Sequence, residues 1–443
     1  MSDRSVALIG FVNTEEVIAK TLKKHHVKVD GYLLFENVAF ANACNRSQII
    51  NSNSLEMSLN KILTPQSYDV VYLGPIPALL MISPVLRTNG VPHIGATREQ
   101  LAYELDKTLI RKIFSRKSAI LPDYQIINSI DVKDIERILQ HYDGNCVLKF
   151  VGDYNQKYKG SPTGRVRFNA ETITCFDDIM EFISKSIELS GSVIIEEKVK
   201  GLEFSSNYIV DAKGNLFRLG ENLCYKRRNN NNKGPMCDAT GSIAINNTLP
   251  FLNNDDIRFI ENKIIIPFHQ YVTEVTKQPF CSLLNIDLMK KENGKIVLFE
   301  INCREPGGFT AATIFPGLKN DLFDVLFTAQ NGKLHTIEPQ YRKGVSLAVG
   351  AFPTFFPEDT DHKDVIIEVS KQIPEGINVF TGWVDLLEEN ETKRIIRLKN
   401  SPTLLFHYFD KDVQSVRRKI YKTMNEFVPK ELNYRTDIGK EFE

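Results

Sequence analysis

Four polar residues in the second half of the chain have the types and spacing of a site that binds a cation and a phosphate. Asp287 interrupts an apolar segment, and Glu300, Asn302 and Arg304 alternate along the next one. Residues two apart in a strand project from the same face. Two carboxylates and an amide oxygen suit a hard cation such as Mg²⁺ and leave positions for phosphate oxygens. We predict a metal site at Asp287, Glu300 and Asn302, although a solvated hairpin explains the same alternation.

A β-hairpin is predicted to bring these side chains together. Apolar segments rich in β-branched residues flank the polar segment 290–295, which has Gly294 near its end. This pattern is typical of two strands joined by a turn. Arg304 would follow the metal ligands on the same face, where its planar guanidinium could hold a carboxylate or a transferring phosphoryl group.

Length and charge exclude several classes of protein. The chain has 443 residues, with 55 basic and 55 acidic side chains and a net charge of zero. This balance argues against broad binding to nucleic acid or to an anionic membrane, and no apolar segment reaches the roughly 20 residues of a membrane helix. Seven cysteines without paired spacing and a polar start predict a cytoplasmic protein with reduced thiols.

The first hundred residues alternate between strand and helix patterns. Strands are predicted at 5–9, 31–35 and 69–73, with a helix at 14–24 after the first. Such alternation is typical of a parallel α/β layer. Gly10 ends the first predicted strand, but no glycine-rich loop follows it. The absence of such a loop argues against a dinucleotide site.

Several further segments could bind a nucleotide, although each has an ordinary alternative. Lys107 lies in a predicted amphipathic helix at 105–114, where it could simply face solvent. Lys149 lies inside an apolar strand at 146–150, and a lysine there needs an anionic partner. The remaining candidates belong to a loop that could cradle a phosphate or form a plain turn, and to a charged connector that could contact adenosine or face water. These candidates are Gly160, Ser161, Thr163 and Gly164 in the loop, and Glu196, Glu197, Val199 and Glu203 in the connector.

The order of these residues resembles the nucleotide site of ATP-grasp enzymes. More narrowly, Lys226-Arg227, Lys233-Gly234-Pro235, the segment 299–304 and the segment 435–439 look like glycinamide ribonucleotide synthetase (phosphoribosylamine-glycine ligase). The resemblance extends from Gly74 to Gly439, which is nearly the whole chain.

This resemblance implies an α/β and α+β multidomain chain with the ATP-grasp fold. Residues 1–103 would form an N-terminal parallel α/β (pre-ATP-grasp) domain. Residues 104–335 would form the ATP-grasp domain, with a small lid subdomain at about 117–192. Residues 336–443 would form a C-terminal α+β cap domain.

The resemblance also implies a chemistry, in which Mg-ATP (or Mn-ATP) phosphorylates a carboxylate and an amine displaces phosphate to give an amide. Lys107 and Lys149 would neutralise the α- and β-phosphates, and residues near Thr163 would form a lid. Arg304, with Lys226 or Arg227, would stabilise charge on the acyl phosphate and its tetrahedral adduct. The partners would be a small carboxylate and an amine, and the chain would be a monomer or homodimer.

Several segments depart from the family where the substrate, not the nucleotide, should bind. Val12 to Glu16 stand in place of a Gly-Gly-Arg-Glu-His loop, and Glu305-Pro306-Gly307-Gly308 in place of Gly-Asp-Pro-Glu. The second loop resembles ATP-grasp enzymes that join amino acids or peptides. We therefore predict an amine other than phosphoribosylamine. The alternatives are a divergent phosphoribosylamine-glycine ligase of purine biosynthesis and a non-catalytic nucleotide-binding protein.

Overall fold

The computed structural model describes residues 4–64, 66–114, 120–151, 176–357, 365–382, 384–399 and 401–443. Within these residues the strands form four sheets, namely one parallel sheet, one large antiparallel sheet and two three-stranded antiparallel sheets.

The N-terminal region is a parallel sheet covered by helices. Its strands are β1 (Ser5–Gly10), β2 (Lys28–Leu33), β3 (Arg46–Ile49) and β4 (Val70–Leu73), in the order β3-β2-β1-β4. Its helices are α1 (Asn13–Lys23), α2 (Val38–Ala43), α3 (Leu55–Leu63), α4 (Ile76–Met81) and α5 (Ser83–Thr88). Residues 6–9 of the central strand are fully buried, as expected for a parallel sheet with both faces covered. The predicted α/β layer is confirmed.

Two helices, α6 (Arg98–Leu105) and α7 (Lys107–Ile113), follow the parallel sheet. The prediction of one helix over 105–114 is wrong at its start. Asp106 has extended backbone angles and caps α7, because its Oδ1 accepts a hydrogen bond from the Thr108 backbone N–H at 2.8 Å. An aspartate at this position offers the backbone a cap in place of a continuous helix.

A three-stranded sheet with two helices comes next. It contains β5 (Tyr124–Ile127), β6 (Cys146–Phe150) and β7 (Val193–Glu197) in the order β5-β7-β6. The helices are α8 (Val132–His141) and α9 (Phe176–Ser190).

The largest sheet extends across two of the predicted domains. Its strands in spatial order are β12 (Ile296–Asn302), β11 (Ser282–Lys290), β8 (Leu202–Val210), β9 (Leu216–Asn229), β10 (Lys233–Ile245), β13 (Val345–Pro353), β18 (Leu404–Asp410) and β15 (Asn378–Thr381), with β19 (Leu432–Tyr434) also paired to β13. Because β10 pairs with β13, the sheet continues past residue 336. The predicted domain boundaries stay a prediction.

Helices cover this sheet. α10 (Asn254–Phe259) continues through a π-helical turn, Ile260–Ile265, into α11 (Ile266–Thr276). α12 (Gly308–Ile314) and α13 (Leu322–Gln330) follow strand β12, and α14 (Val413–Phe427) lies near the C-terminal end of the described residues.

The last sheet contains β14 (Ile366–Ser370), β16 (Asp385–Glu389) and β17 (Lys393–Arg397) in the order β14-β17-β16. β15 ends at Thr381 in the large sheet, whereas β16 begins at Asp385 in this one. A Cβ atom on Gly382 would lie 1.7 Å from the Pro402 carbonyl oxygen. This close backbone approach lets the chain leave one sheet for the other.

Candidate active site

The predicted metal ligands lie on one face of the β11–β12 hairpin. Asp287 and Glu300 are direct cross-strand partners, and Asn285 and Asn302 form the next pair on that face. Direct partners in an antiparallel ladder have neighbouring side chains. The structure therefore brings Asp287, Glu300 and Asn302 together as the alternation predicted.

Local sequence explains this hairpin. Gly294 has a φ of +82°, which suits the turn, and the Lys291 N–H donates to the Lys295 carbonyl at 2.8 Å. Ile286, Leu288 and Ile301 alternate with the polar residues and are almost completely buried. Burial of this apolar face fixes the register, because a one-residue slip would expose it.

Two lysines contact the carboxylates of this hairpin. Lys107, the first residue of α7, donates to Oε1 of Glu300. Lys226 of β9 donates to Oε1 of Glu203 at 2.6 Å and to Oδ2 of Asp287 at 3.1 Å. Burial lowers the pKa of Lys226, but the charges of Asp287 and Glu203 outweigh burial and raise that pKa well above its ordinary value. Lys226 is therefore a cation at neutral pH.

A buried ion cluster holds Lys149 of β6. Its Nζ contacts Oε1 of Glu196, whose Oε2 accepts a hydrogen bond from Arg111 Nη2 at 2.6 Å. Lys149 also lies 5.1 Å from the centre of the Phe299 ring. Glu196 is buried and lies in strand β7, not in a connector after it, and its predicted contact with adenosine stays a prediction. It holds Lys149 and Arg111, and Arg111 is a residue that the sequence analysis did not identify.

Replacing Glu196 by glutamine should strongly destabilise the fold. Glu196→Gln leaves the buried cations Lys149 and Arg111 without their anion, and breaking such a pair costs about 3–5 kcal/mol. We expect this loss in the free energy of unfolding, measured by urea denaturation. The control is Glu197→Gln, since the neighbouring Glu197 side chain is 37% exposed and its loss should change stability by less than about 0.5 kcal/mol. Equal stability of both variants would contradict the prediction.

Arg304 follows β12 and is held by Glu104 of α6. Its Nε donates to Oε1 of Glu104 at 2.8 Å, and Oε2 of Glu104 accepts from the Cys303 N–H at 2.9 Å. Its Nη1 donates to the Glu305 carbonyl at 3.0 Å. Glu104 is 2% exposed, whereas the Arg304 side chain is 27% exposed. The buried carboxylate therefore fixes the direction of a partly exposed guanidinium.

Two buried glutamates, Glu15 and Glu305, lie together where the parallel sheet meets the hairpin, and we call them the acidic pair. A Cβ atom on Gly74 would lie 2.3 Å from Oε1 of Glu15 and 2.6 Å from Oε1 of Glu305, so both carboxyl groups crowd over this glycine. The Tyr72 hydroxyl donates to Oε2 of Glu305 at 2.9 Å, and the Val12 N–H donates to Oε2 of Glu15 at 2.7 Å. The sequence analysis missed this pair, since its members are 290 positions apart.

The acidic pair should make stability fall as pH rises. Burial raises the pKa of both carboxyl groups, and the charge of Glu305 raises the pKa of Glu15 further above its ordinary 4.5. The folded state therefore keeps a proton that the unfolded state releases above pH 4.5. For each such proton, the free energy of unfolding falls by about 1.4 kcal/mol per pH unit. Glu305→Gln, whose amide can donate to Glu15, should flatten the decline in melting temperature between pH 5 and 8. An unchanged slope, equal to that of the exposed control Glu56→Gln, would contradict this expectation.

Other predicted site residues lie elsewhere. Arg227 is on the face of β9 opposite Lys226, where its Nη1 donates to the Gly234 carbonyl at 3.1 Å. Adjacent strand residues point to opposite faces, so Arg227 lies apart from Lys226, and its predicted role at the acyl phosphate stays a prediction. The backbone N–H groups of Glu197 and Lys198 bond to the carbonyls of Asp123 and Asn145, and the predicted contact of Glu197 and Val199 with adenosine stays a prediction.

The residues of the predicted phosphate loop, Gly160, Ser161, Thr163 and Gly164, lie outside the described residues.

The donor set of the hairpin fits a magnesium ion that also binds phosphate. In the part of the chain that the structure describes, no three His, Cys, Asp or Glu side chains form a metal-binding group. Asp287 and Glu300 instead provide two carboxylates, and Asn302 provides an amide. Mg²⁺ is commonly held by one or two carboxylates with substrate phosphates completing its coordination. The residues present therefore suit a metal that arrives with a nucleotide.

Comparisons with known proteins agree with this geometry. Residues 105–307 match the family described as phosphoribosylglycinamide synthetase, ATP-grasp (A) domain. A phosphoribosylamine-glycine ligase of Methanococcus maripaludis is 24% identical over 98% of this chain and 96% of its own length. The enzyme of that name from Thermococcus gammatolerans is 25% identical over 84% of this chain and 80% of its own.

Solved structures show the same fold. A phosphoribosylamine-glycine ligase from Thermotoga maritima has a TM-score of 0.75 and 18% identity, covering 98% of this chain and 99% of that one. The biotin carboxylase domain of Hydrogenobacter thermophilus 2-oxoglutarate carboxylase, solved with MgADP, has a TM-score of 0.67 and 12% identity, covering 97% and 91%. The predicted ATP-grasp fold is confirmed.

The described residues include no helix that is long and apolar enough to cross a membrane. The family match begins at the last residue of α6 and ends just after the hairpin. It contains Lys107, Lys149, Lys226, Asp287, Glu300, Asn302 and Arg304. Likeness to the curated relatives continues over nearly the full length of the chain. The chain is therefore an ATP-grasp carboxylate-amine ligase, and its residues 105–307 match the phosphoribosylglycinamide synthetase ATP-grasp (A) domain.

Proposed function

We propose that this ligase uses Mg-ATP to convert a carboxylate into an acyl phosphate, which an amine then attacks to give an amide, ADP and phosphate. The observation that carries the proposal is the cross-strand pair of Asp287 and Glu300 with Asn302 beside it, flanked by Lys107 and Lys226. Carboxylates, an amide and ammonium groups in one place provide the metal ligands and cations that phosphoryl transfer requires.

Each side chain has a proposed part in this reaction. Asp287, Glu300 and Asn302 would hold Mg²⁺, which when bound would screen the charge of the phosphate oxygens. Lys107 and Lys149 would neutralise the α- and β-phosphates, and Lys107 would turn from Glu300 toward the nucleotide when the metal balances that carboxylate. Glu203 remains a candidate for the ribose hydroxyls, since its side chain is 40% exposed.

Arg304 would stabilise the charge of the acyl phosphate. Its guanidinium is oriented by Glu104 and lies directly after the strand that carries Glu300 and Asn302. An oriented donor that meets developing charge lowers the barrier without reorganisation during the reaction.

The first substrate pair to consider is glycine and phosphoribosylamine. The relatives from Methanococcus and Thermococcus carry the name phosphoribosylamine-glycine ligase, and their likeness covers most of this chain. The sequence analysis preferred another amine, and the comparisons favour its alternative instead. We therefore place phosphoribosylamine first.

A different amine is the second candidate, and the acidic pair favours it. Glu15 and Glu305 are buried beside Tyr72 next to Arg304. Burial raises the pKa of both carboxyl groups, and whenever either group is ionised a substrate phosphate close to it would meet like charge, which is unfavourable in a site of low dielectric. A cationic or neutral amine would meet no such repulsion.

Phosphate release distinguishes the two candidates. Purified enzyme receives ATP and Mg²⁺ with glycine and freshly made phosphoribosylamine, and then with a panel of amino acids and amines. Release that requires both glycine and phosphoribosylamine supports the first candidate, whereas release with other pairs only supports the second. Hydroxylamine serves as an amine that traps any acyl phosphate. Nucleotide binding without acid-dependent ADP formation in all these mixtures would refute a ligase reaction.

A further inference from the structure

Four asparagines form a line of side-chain hydrogen bonds across the large sheet, which we call the asparagine ladder: Asn302 on β12, Asn285 on β11, Asn207 on β8 and Asn222 on β9. Asn302 pairs directly with Asn285, and Asn285 pairs directly with Asn207. The ladder therefore begins at the proposed metal site and extends into the interior, where Asn207 and Asn222 are fully buried.

The hydrogen bonds of the ladder all have the same direction. Nδ2 of Asn302 donates to Oδ1 of Asn285 at 3.2 Å, and Nδ2 of Asn285 donates to Oδ1 of Asn207 at 2.8 Å. Nδ2 of Asn207 donates to Oδ1 of Asn222 at 3.0 Å. At the far end, Nδ2 of Asn222 donates to Oγ of Ser242 at 2.9 Å.

This direction is determined at the buried end. Nδ2 of Asn207 also donates to the Gly220 carbonyl oxygen at 3.0 Å, and a carbonyl oxygen can only accept. If the amide of Asn207 turned over, two acceptor oxygens would face each other. With Asn207 fixed, Asn285 must donate to it and must present its own oxygen to Asn302.

The ladder determines the orientation of the Asn302 amide, which would bind the metal. An asparagine can ligate a cation only through Oδ1, and its amide can turn over to exchange oxygen and nitrogen. Nδ2 of Asn302 donates to Asn285 within the ladder. Because the amide is planar, Oδ1 of Asn302 then points away from the ladder. A turned amide would place Oδ1 of Asn302 against Oδ1 of Asn285.

We propose that Asn285 and Asn207 are positioning residues that hold the amide of Asn302 with its oxygen toward the metal of the Mg-ATP complex. This inference rests on the proposed function, since it needs the metal at Asn302. Asn285 and Asn207 act through Asn302. Partners that orient a metal ligand are commonly worth about 10- to 100-fold in metal affinity.

The test measures metal binding and not only turnover. Mn²⁺ is titrated into the full chain with ADP, and free Mn²⁺ is followed by electron paramagnetic resonance. Asn285→Leu should raise the Kd for Mn²⁺ by about 10-fold or more. Turnover should recover at high Mg²⁺, because the defect lies in metal affinity. Asn331→Leu, at an exposed position, should bind Mn²⁺ like the unchanged protein.

A double variant separates positioning from a general loss of stability. Asn302→Asp supplies a carboxylate whose two oxygens are equivalent, so it has no orientation to lose. In that background Asn285→Leu should change the Kd by less than about twofold. An equal penalty in both backgrounds, or none with Asn302 present, would overturn the inference. If the leucine variant does not fold, Asn285→Ala takes its place in both backgrounds.

Asn302→Ala distinguishes this inference from the proposed function. It should weaken Mn²⁺ binding whatever orients the amide. Unchanged Mn²⁺ binding in that variant would refute the metal assignment itself, whereas weakened binding with a neutral Asn285→Leu would refute only the ladder.

Discussion

Replacing Glu300 by glutamine is expected to lower acid-dependent ADP formation by at least about 100-fold. The change removes one of two carboxylate charges at the proposed metal site while keeping the size of the side chain. It also removes the anion that Lys107 contacts. The folded state should persist, because the Glu300 side chain is 27% exposed. Turnover by coupled ADP assay and melting by circular dichroism measure the two effects separately.

The matched control is Glu292→Gln, which alters an exposed carboxylate in the turn of the same hairpin. We expect it to retain full activity and full stability. If Glu300→Gln were as active as this control, the assignment of the hairpin as the metal site would be wrong. A Glu300→Gln protein that lost its fold would show the loss in the melting curve.

Replacing Arg304 by alanine should lower turnover by about 100-fold while changing the affinity for ATP by a much smaller factor. The proposed role of the guanidinium is to meet charge that develops on the acyl phosphate, and one such donor is commonly worth about 3 kcal/mol. Arg304→Lys should recover only part of the rate, because a lysine cannot match the forked contact with Glu104 and an anion together. Initial rates over a range of ATP concentrations separate kcat from KM.

Arg258→Ala is the control for Arg304, since the Arg258 side chain is 66% exposed and pairs only with Asp255 among the ion pairs of the described residues. Its turnover should equal that of the unchanged protein. An Arg304→Ala enzyme with a normal kcat would remove Arg304 from the mechanism. A raised KM for ATP with a normal kcat would instead reassign it to nucleotide binding.

Alternation along a strand made the metal site predictable. The spacing of Glu300 and Asn302, and the position of Asp287 on the preceding segment, required only that both segments form strands joined by a turn. The apolar residues that alternate with these polar ones indicate the two strands, and Gly294 indicates the turn. Whether these side chains bind Mg²⁺ stays a prediction.

Long-range partners were not predictable in the same way. Glu104 holds Arg304 across 200 positions, and Arg111 holds Glu196 across 85. Each partner lies in a helix whose amphipathic pattern gives no reason to single it out. The ladder from Asn302 to Asn222 likewise joins residues whose strands meet only through the sheet order.

The sequence by itself determined the local geometry: the hairpin, the shared face of Asp287, Glu300 and Asn302, and the parallel α/β layer, because strand period and turn chemistry act over a few residues. Only the tertiary structure decided which charges meet. It buried Glu15 against Glu305, assigned Glu196 to Lys149 and Arg111, and separated Arg227 from Lys226. These contacts depend on how sheets and helices pack. Because an unpaired charge is costly in a buried medium of low dielectric, the pairing of each charge then decides whether its burial is stable.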